Sequence, residues 1–248
     1  MLKKVVRATL GRVGLQLRRL PKLEPDRDYE VWARQLHWLT EFRLATVFDI
    51  GANTGQFAQY IRLLLPDTQI YSFEPLPDCF EELQINMAKA DNFKAFNLAL
   101  GDQTGDQIFE RNEFSPSSSF LKMADLHRDT FPHTRSSSSV IVTSRRLDDL
   151  LPDIAISQPM LVKIDVQGYE DRVLRGGEVI IRQASLIIIE TSFETLYEGQ
   201  PLFDDIYRRL ISWGFVYNGA IDQLCSPEDG RPLQEDSIFV KQSPMPQA

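Results

Sequence analysis

Apolar and polar positions change period in blocks along this chain. The stretch VFDIGANTGQFAQYIRLL, Val47 to Leu64, opens as an apolar run, passes two glycines and ends with apolar side chains at helical spacing. A buried run followed by a 3.6-residue period predicts strand, tight loop and helix. Pro66 ends that helix, because the residue before a proline is pushed out of helical backbone. The unit then repeats. QIYSFEP predicts a second strand and PDCFEELQINMAKA a second helix, with Pro77 suited to its first turn. FKAFNLAL predicts a third strand, closed by Gly101. A strand roughly every thirty residues, separated by one helix, is the signature of βαβ units and a parallel sheet. Upstream, Tyr29, Trp32, Leu36 and Leu39 recur at helical spacing and predict a helix packed on the same domain, with His37 assigned no role.

The rhythm breaks between Gly101 and Leu150. GDQTGDQIFERN predicts a turn and a short strand, and VIVTSRRLDDLL predicts a strand followed by a helical turn. The serine-rich SPSSSF and HTRSSSSV predict loop, and for the second a flexible linker. Long polar connections in compact domains are functional or disordered segments. An insertion over about residues 103–146, carrying a small antiparallel pair and a mobile flap, is therefore expected. Alternation resumes with the strand MLVKIDV running into Gly168, the short helix YEDRVLRGG, and SLIIIET, whose apolar character marks a strand buried on both faces. PLFDDIYRRLISWG predicts a helix with Gly214 at its end. FVYNGAI and DSIFVKQ predict the last two strands, joined by the turn-rich DQLCSPEDGRPLQE. Residues 26–242 are thus expected to form one α/β domain, between a leader over 1–25 and a disordered tail over 243–248.

Composition narrows the function classes. With 248 residues, 43% hydrophobic and 25% charged, the chain has material for one large core. A net charge of -8 argues against a general nucleic-acid binder. Cys79 and Cys225 form no spaced cluster, which indicates neither a disulfide framework nor a zinc site and points to the cytoplasm. The first 22 residues stand apart, because Lys3, Lys4, Arg7, Arg12, Arg18, Arg19 and Lys22 interleave with apolar residues and no acidic one occurs. They lack the apolar core and cleavage site of a signal peptide. The plainer expectation is a solvated leader; the sharper one is an amphipathic segment in peripheral contact with an anionic membrane or a partner.

In an open parallel sheet, ligands bind beyond the carboxyl ends of the strands, so the residues just after each strand carry the chemistry. After the first come Gly51 and Gly55, where backbone can pass close to a ligand. Their spacing is G-x-x-x-G, and the dinucleotide fingerprint G-x-G-x-x-G is absent. Asp49 would repel a pyrophosphate and attract a ligand with positive charge, and Asn53 or Thr54 is placed to cap the following helix, whose free N–H groups favour a carboxylate. Glu74 follows the second strand, where an acidic residue accepts from the two hydroxyls of a ribose. Asp102 follows the third, placed to meet the edge of an adenine. A cationic amino-acid end, a ribose and an adenine without pyrophosphate describe S-adenosylmethionine.

The series FDIGANTG, SFEPLP, NLALGD, SSSF, RLDDL, KIDVQGYE and IIIETSF closely resembles the FkbM family of S-adenosylmethionine-dependent methyltransferases, from about Thr46 to Val240. The resemblance implies a Rossmann-like seven-stranded sheet with the last strand antiparallel. It also implies O-methyl transfer to a hydroxyl of a sugar, a glycan or glycolipid, or a secondary metabolite. The segment VKIDVQGYED follows the fourth strand of the main alternation and by position faces the transferred methyl. Asp165 is the candidate general base or orienter of the acceptor hydroxyl, with Lys163 on the same strand face expected to pair with it. Glu170 and Glu190 are weaker candidates. Without a histidine placed beside Asp165 and Glu190, no metal is expected. Two other classes compete: a nicotinamide-dependent oxidoreductase on a similar sheet, and a non-catalytic methyltransferase-like module acting through the basic leader.

Overall fold

The computed structural model describes Trp32 and residues 34–242. The basic leader and the C-terminal tail lie outside the described residues. The central element is a seven-stranded sheet of β1 (Thr46–Ile50), β2 (Gln69–Phe73), β3 (Phe93–Phe96), β7 (Met160–Ile164), β8 (Leu186–Ser192), β9 (Phe215–Cys225) and β10 (Pro232–Lys241). Its order is β3-β2-β1-β7-β8-β10-β9. β3, β2, β1, β7 and β8 run parallel, and the last strand, β10, is antiparallel to both of its neighbours, as the family resemblance implies. β4 (Ala99–Leu100), β5 (Gly105–Asn112) and β6 (Ser137–Arg145) form a second, three-stranded sheet.

The apolar strand runs follow from burial on both faces. Successive residues point to opposite sides of a sheet. Phe48, Ile50, Val162, Ile164, Ile187 and Ile189 enter one core, and the alternate Val47, Leu161, Leu186 and Ile188 enter the other. Helix α1 (Gln56–Leu64) lays Phe57, Ala58 and Ile61 on the second core, beside Leu83 of α2 (Pro77–Asn86). Pro77 occupies the first turn of α2, where its missing N–H costs nothing. Helix α3 (Phe203–Ser212) places Ile206 and Leu210 in the first core and is followed by Gly214 at φ +82°. Among the described residues, no helix is long and apolar enough to cross a membrane.

The structure departs from the sequence reading in several places. FKAFNLAL is two strands: β3 ends at Phe96, and Ala99–Leu100 leaves the main sheet to pair with β6. Asn97 anchors the break, its Nδ2 donating to the carbonyls of Glu74 (2.9 Å) and Pro75 (3.0 Å). Of the helix expected over Tyr29 to Phe42, the portion His37–Phe42 is a 3-10 helix that stops at Arg43, which has φ +50°. Ser137 to Ser139 are strand rather than linker, paired with Asn112 to Glu110 of β5. Ser117, Ser118 and Ser119 are buried. β9 and β10 extend through most of the segment read as turn-rich, because their antiparallel ladder continues to the pair Cys225 and Pro232.

Gly51 is needed for approach between two pieces of this chain. It has φ +79°, and a Cβ built there would lie 1.8 Å from the Asp165 carbonyl oxygen. Gly176 has the same function on the far side, where a Cβ would lie 1.8 Å from the Gly101 carbonyl oxygen. The first contact brings the loop after β1 against the loop after β7, and so closes the floor of a cavity.

Candidate active site

That cavity has a volume of about 480 Å³ and opens at the carboxyl ends of β1, β2, β7 and β8. Its size lies within the range of about 300–1,000 Å³ usual for small-molecule sites. It has two chemically distinct ends. One is a slot walled by Ile50, Phe73, Leu76, Ala99 and Leu100, with Glu74 at its edge. The other presents Lys163, Asp165, Gln167, Glu190 and Asp236. Gln56, Phe57 and Tyr60 of α1, with Trp32 stacked on Tyr60 at 5.6 Å, line a further wall.

Glu74 is held by the loops around it. Its amide donates to the Phe96 carbonyl (3.1 Å), its Oε2 accepts from the Asn53 amide (2.9 Å) and its Oε1 from the Leu76 amide (2.8 Å). Each carboxylate oxygen has a second lone pair, which leaves acceptor capacity toward the cavity. Burial outweighs those two hydrogen bonds and pushes the Glu74 carboxyl up to about 7. The loop is pinned to β2 by the Gly51 and Ala52 amides, which donate to the Phe73 carbonyl (3.1 and 3.0 Å).

At the polar end, Lys163 Nζ donates to Asp165 Oδ2 at 3.1 Å, the pairing expected from their shared strand face. Gln167 Nε2 donates to Asp165 Oδ1 (2.9 Å) and to both Glu190 oxygens (2.9 and 2.8 Å). Gln167 Oε1 accepts from the Tyr197 hydroxyl (2.8 Å), and its carbonyl accepts from Ser119 Oγ (2.6 Å). Gln167 adopts φ +55°, a backbone form uncommon for a residue with a side chain. Glu170, just beyond, turns inward and accepts the amides of Val166 (3.1 Å) and Gly168 (3.2 Å), holding the loop from behind. For Lys163, burial alone would lower its pKa, but the adjacent Asp165 and Asp49 outweigh it and raise it. Burial, reinforced by Asp165, Glu170 and Asp236, raises Glu190 well above the usual carboxylate range.

The structure brings Gly51, Asn53, Glu74, Lys163 and Asp165 together around the cavity. It does not bring in Asp49, Gly55 or Asp102. Asp49 is fully buried beneath the floor, its Oδ2 accepting from Ser72 Oγ (3.3 Å) and its Oδ1 lying 3.9 Å from Lys163 Nζ. Its Oδ1 has no hydrogen-bond partner, burial pushes its carboxyl above the usual carboxylate range, and it does not line the cavity. Gly55 is the residue before α1, at φ +90°, where a Cβ would lie 2.6 Å from Leu83 Cδ1. Asp102 pairs with Arg175 Nε (3.0 Å), because β4 has already left the main sheet and carried it away from the slot. Neither Asn53 nor Thr54 caps α1; Asn53 Oδ1 accepts from the Thr54 amide instead. Ala99 and Leu100 occupy the place anticipated for Asp102, and make that wall apolar.

Sequence reasoning passed over Gln167, Tyr197 and Asp236. The search for residues after strand ends fails for Asp236 because β10 runs antiparallel, so its amino-terminal half reaches the carboxyl edge of the parallel strands. The signal was an acidic residue two before Ile238, and therefore on the same face of the strand.

The site has a consequence for stability. Asp236 is pushed up to about 7 by burial and by the charge of Asp165, and Glu170 up to about 8 by burial. These folded-state values, with that of Glu74, lie above the ordinary 3.8 and 4.5 of the exposed groups. The folded protein thus holds more protons than the unfolded chain between about pH 4 and pH 8, and stability falls as pH rises through that window. The thermal midpoint of the ligand-free protein is expected to drop from pH 5 to about pH 8, by less in Asp236→Asn than in wild type. A rising profile in scanning calorimetry, or equal slopes for the two proteins, would contradict this.

The strand order, the antiparallel final strand and the loop facing a buried glutamate at the end of β2 define a Rossmann-like methyltransferase fold. The chain belongs to the FkbM methyltransferase family, since the model described as Methyltransferase FkbM domain matches residues 49–217. It is 30% identical over 178 residues to the 2-O-methyltransferase NoeI of Sinorhizobium fredii, covering 67% of this chain and 71% of that one. It is 28% identical to Methyltransferase sdnD of Sordaria araneosa, over 52% of this chain and 59% of that one. With the hexuronic acid methyltransferase AglP of Haloferax volcanii it shares 24% identity, over 58% of this chain and 54% of that one. Apart from NoeI, these matches thus span little more than half the length of the relatives.

Proposed function

We propose that the protein is an S-adenosylmethionine-dependent O-methyltransferase acting on a hydroxyl of a sugar, a glycan or glycolipid, or a secondary metabolite. The observation that carries this reading is the two-ended cavity, in which an apolar slot edged by a held carboxylate adjoins a polar end built around Asp165. The slot fits the donor. Ile50, Phe73, Leu76, Ala99 and Leu100 would take the flat base, and the spare lone pairs of Glu74 would take the ribose hydroxyls. When bound, S-adenosylmethionine supplies an electrophilic methyl on a sulfonium. The name of one relative, a 2-O-methyltransferase, supports transfer to a hydroxyl.

The chain's own residues then have defined tasks. Asp165 retains a lone pair on each oxygen beyond its bonds to Lys163 and Gln167, and would take the proton that the acceptor hydroxyl must lose. Lys163 and Gln167 fix the carboxylate from both sides, which would hold the acceptor hydroxyl in one orientation. The nicotinamide alternative is set aside by family membership and by the loop lacking a pyrophosphate fingerprint. In the test, S-adenosylhomocysteine is expected to raise the thermal midpoint while NAD does not. Label from S-adenosylmethionine is then expected to enter a hydroxylated acceptor. Protection by NAD alone would refute the reading.

A further inference from the structure

We propose that Asp236 is a specificity-determining residue for the acceptor, and that the acceptor end of the cavity selects an uncharged polyol over a phosphorylated or carboxylated one. The proposal rests on the O-methyltransferase reading above and names the substrate class within it. Sheet register builds the arrangement. β7 pairs with β8 as far as Ile164 with Ile189, so Asp165 and Glu190 continue the row one residue further on. β10 sets Asp236 opposite Glu190. All three line the cavity and lie on the sheet face that carries Leu161, Ile188 and Ile238. Asp165 and Asp236 are two strand spacings apart, about 10 Å between backbones. One sugar ring with its hydroxyls bridges that span.

The three carboxylates are not equally free. Asp165 is held by Lys163 and Gln167, and both oxygens of Glu190 accept from Gln167 Nε2. Asp236 faces the same cavity, and its side chain has no hydrogen bond and no close ion pair among the described residues. A partly buried carboxylate without a partner is costly, and a hydroxyl from a ligand would satisfy it. Lys163 is the only cationic side chain lining the cavity among the described residues. Burial, reinforced by Asp165, raises both Glu190 and Asp236. A phosphate or carboxylate on the acceptor would set a further acidic group against this row, where Lys163 is already committed to Asp165 and no second cation lines the cavity among the described residues. A hydroxyl is served in either protonation state, because it donates to an ionised carboxylate and accepts from a protonated one.

The test uses the full chain with labelled S-adenosylmethionine. The acceptors are a panel of methyl pyranosides, the corresponding uronates and their phosphate monoesters. Neutral glycosides are expected to be methylated with kcat/KM about 10-fold or more above either anionic set. Asp236→Ala is expected to raise KM for the neutral acceptor about 10-fold while S-adenosylhomocysteine affinity stays within about twofold. Asp236→Asn is expected to narrow the neutral-to-uronate ratio. Equal use of anionic acceptors overturns the proposal, as does an unchanged KM in Asp236→Ala. So does a lack of transfer to every neutral glycoside by protein that binds S-adenosylhomocysteine. If Asp236→Ala does not fold, the wild-type ratio decides alone. Failure of the wild type to bind S-adenosylhomocysteine strikes the underlying reading instead, and this proposal falls with it.

Discussion

Replacing Asp165 with asparagine is expected to lower kcat about 10²- to 10⁴-fold, the usual contribution of a positioned general base. S-adenosylhomocysteine affinity should stay within about twofold of wild type, since Asp165 lies at the polar end and Glu74 at the other. The substitution keeps size and one acceptor, which Lys163 still finds. What it removes is the site for the acceptor's proton. It also sets an amide donor against Gln167 Nε2, now 2.9 Å from Asp165 Oδ1. Steady-state kinetics separate the outcomes. A fall in kcat with KM held identifies proton acceptance in the transition state, whereas a rise in KM with kcat held identifies an orienting contact. An unchanged kcat/KM would remove Asp165 from the mechanism.

Glu74→Ala is the second large effect, with S-adenosylhomocysteine binding expected to weaken about 100-fold in isothermal titration. Two losses combine. The ligand's ribose hydroxyls lose a charge-assisted acceptor, and a hydrogen bond to a charged group is worth about 1.5–3 kcal/mol. The Asn53 and Leu76 amides also lose the oxygens that hold them at 2.9 and 2.8 Å. The first of these sits in the loop that Gly51 and Ala52 pin to β2. Glu74→Gln should recover part of the affinity, because its amide oxygen can serve one of the two amides. Binding unchanged in Glu74→Ala would refute the assignment of the slot to the donor.

The alternation of strands and helices was legible because burial on both faces writes itself as apolar runs. Leu186 to Ile189 is such a run, and its residues divide between the two cores, as do Val47, Phe48 and Ile50 around Asp49. Glu74, Lys163 and Asp165 were legible for a related reason. Each stands at or just beyond the end of a parallel strand, and those strands are continuous in sequence. Asp102 was misplaced because a strand boundary cannot be read within FKAFNLAL. The chain changes sheet after Asn97, whose side chain bonds the Glu74 and Pro75 carbonyls, and two residues of apparent strand belong elsewhere. Ser137 to Ser139 were misread because their polarity resembles a linker's, while the ladder to β5 depends on backbone groups that any residue carries.

Local pattern alone determined the α/β class, the glycine loop after β1 and the two carboxyl-end residues that matter most, because each depends on neighbours close in the chain. The shape of the site depended on contacts between segments far apart. The Gly51 backbone touches that of Asp165, Gln167 ties Asp165 to Glu190 and Tyr197, and β10 returns antiparallel to set Asp236 into the same row. Register and strand direction assemble those partners, and neither is encoded at the positions they bring together.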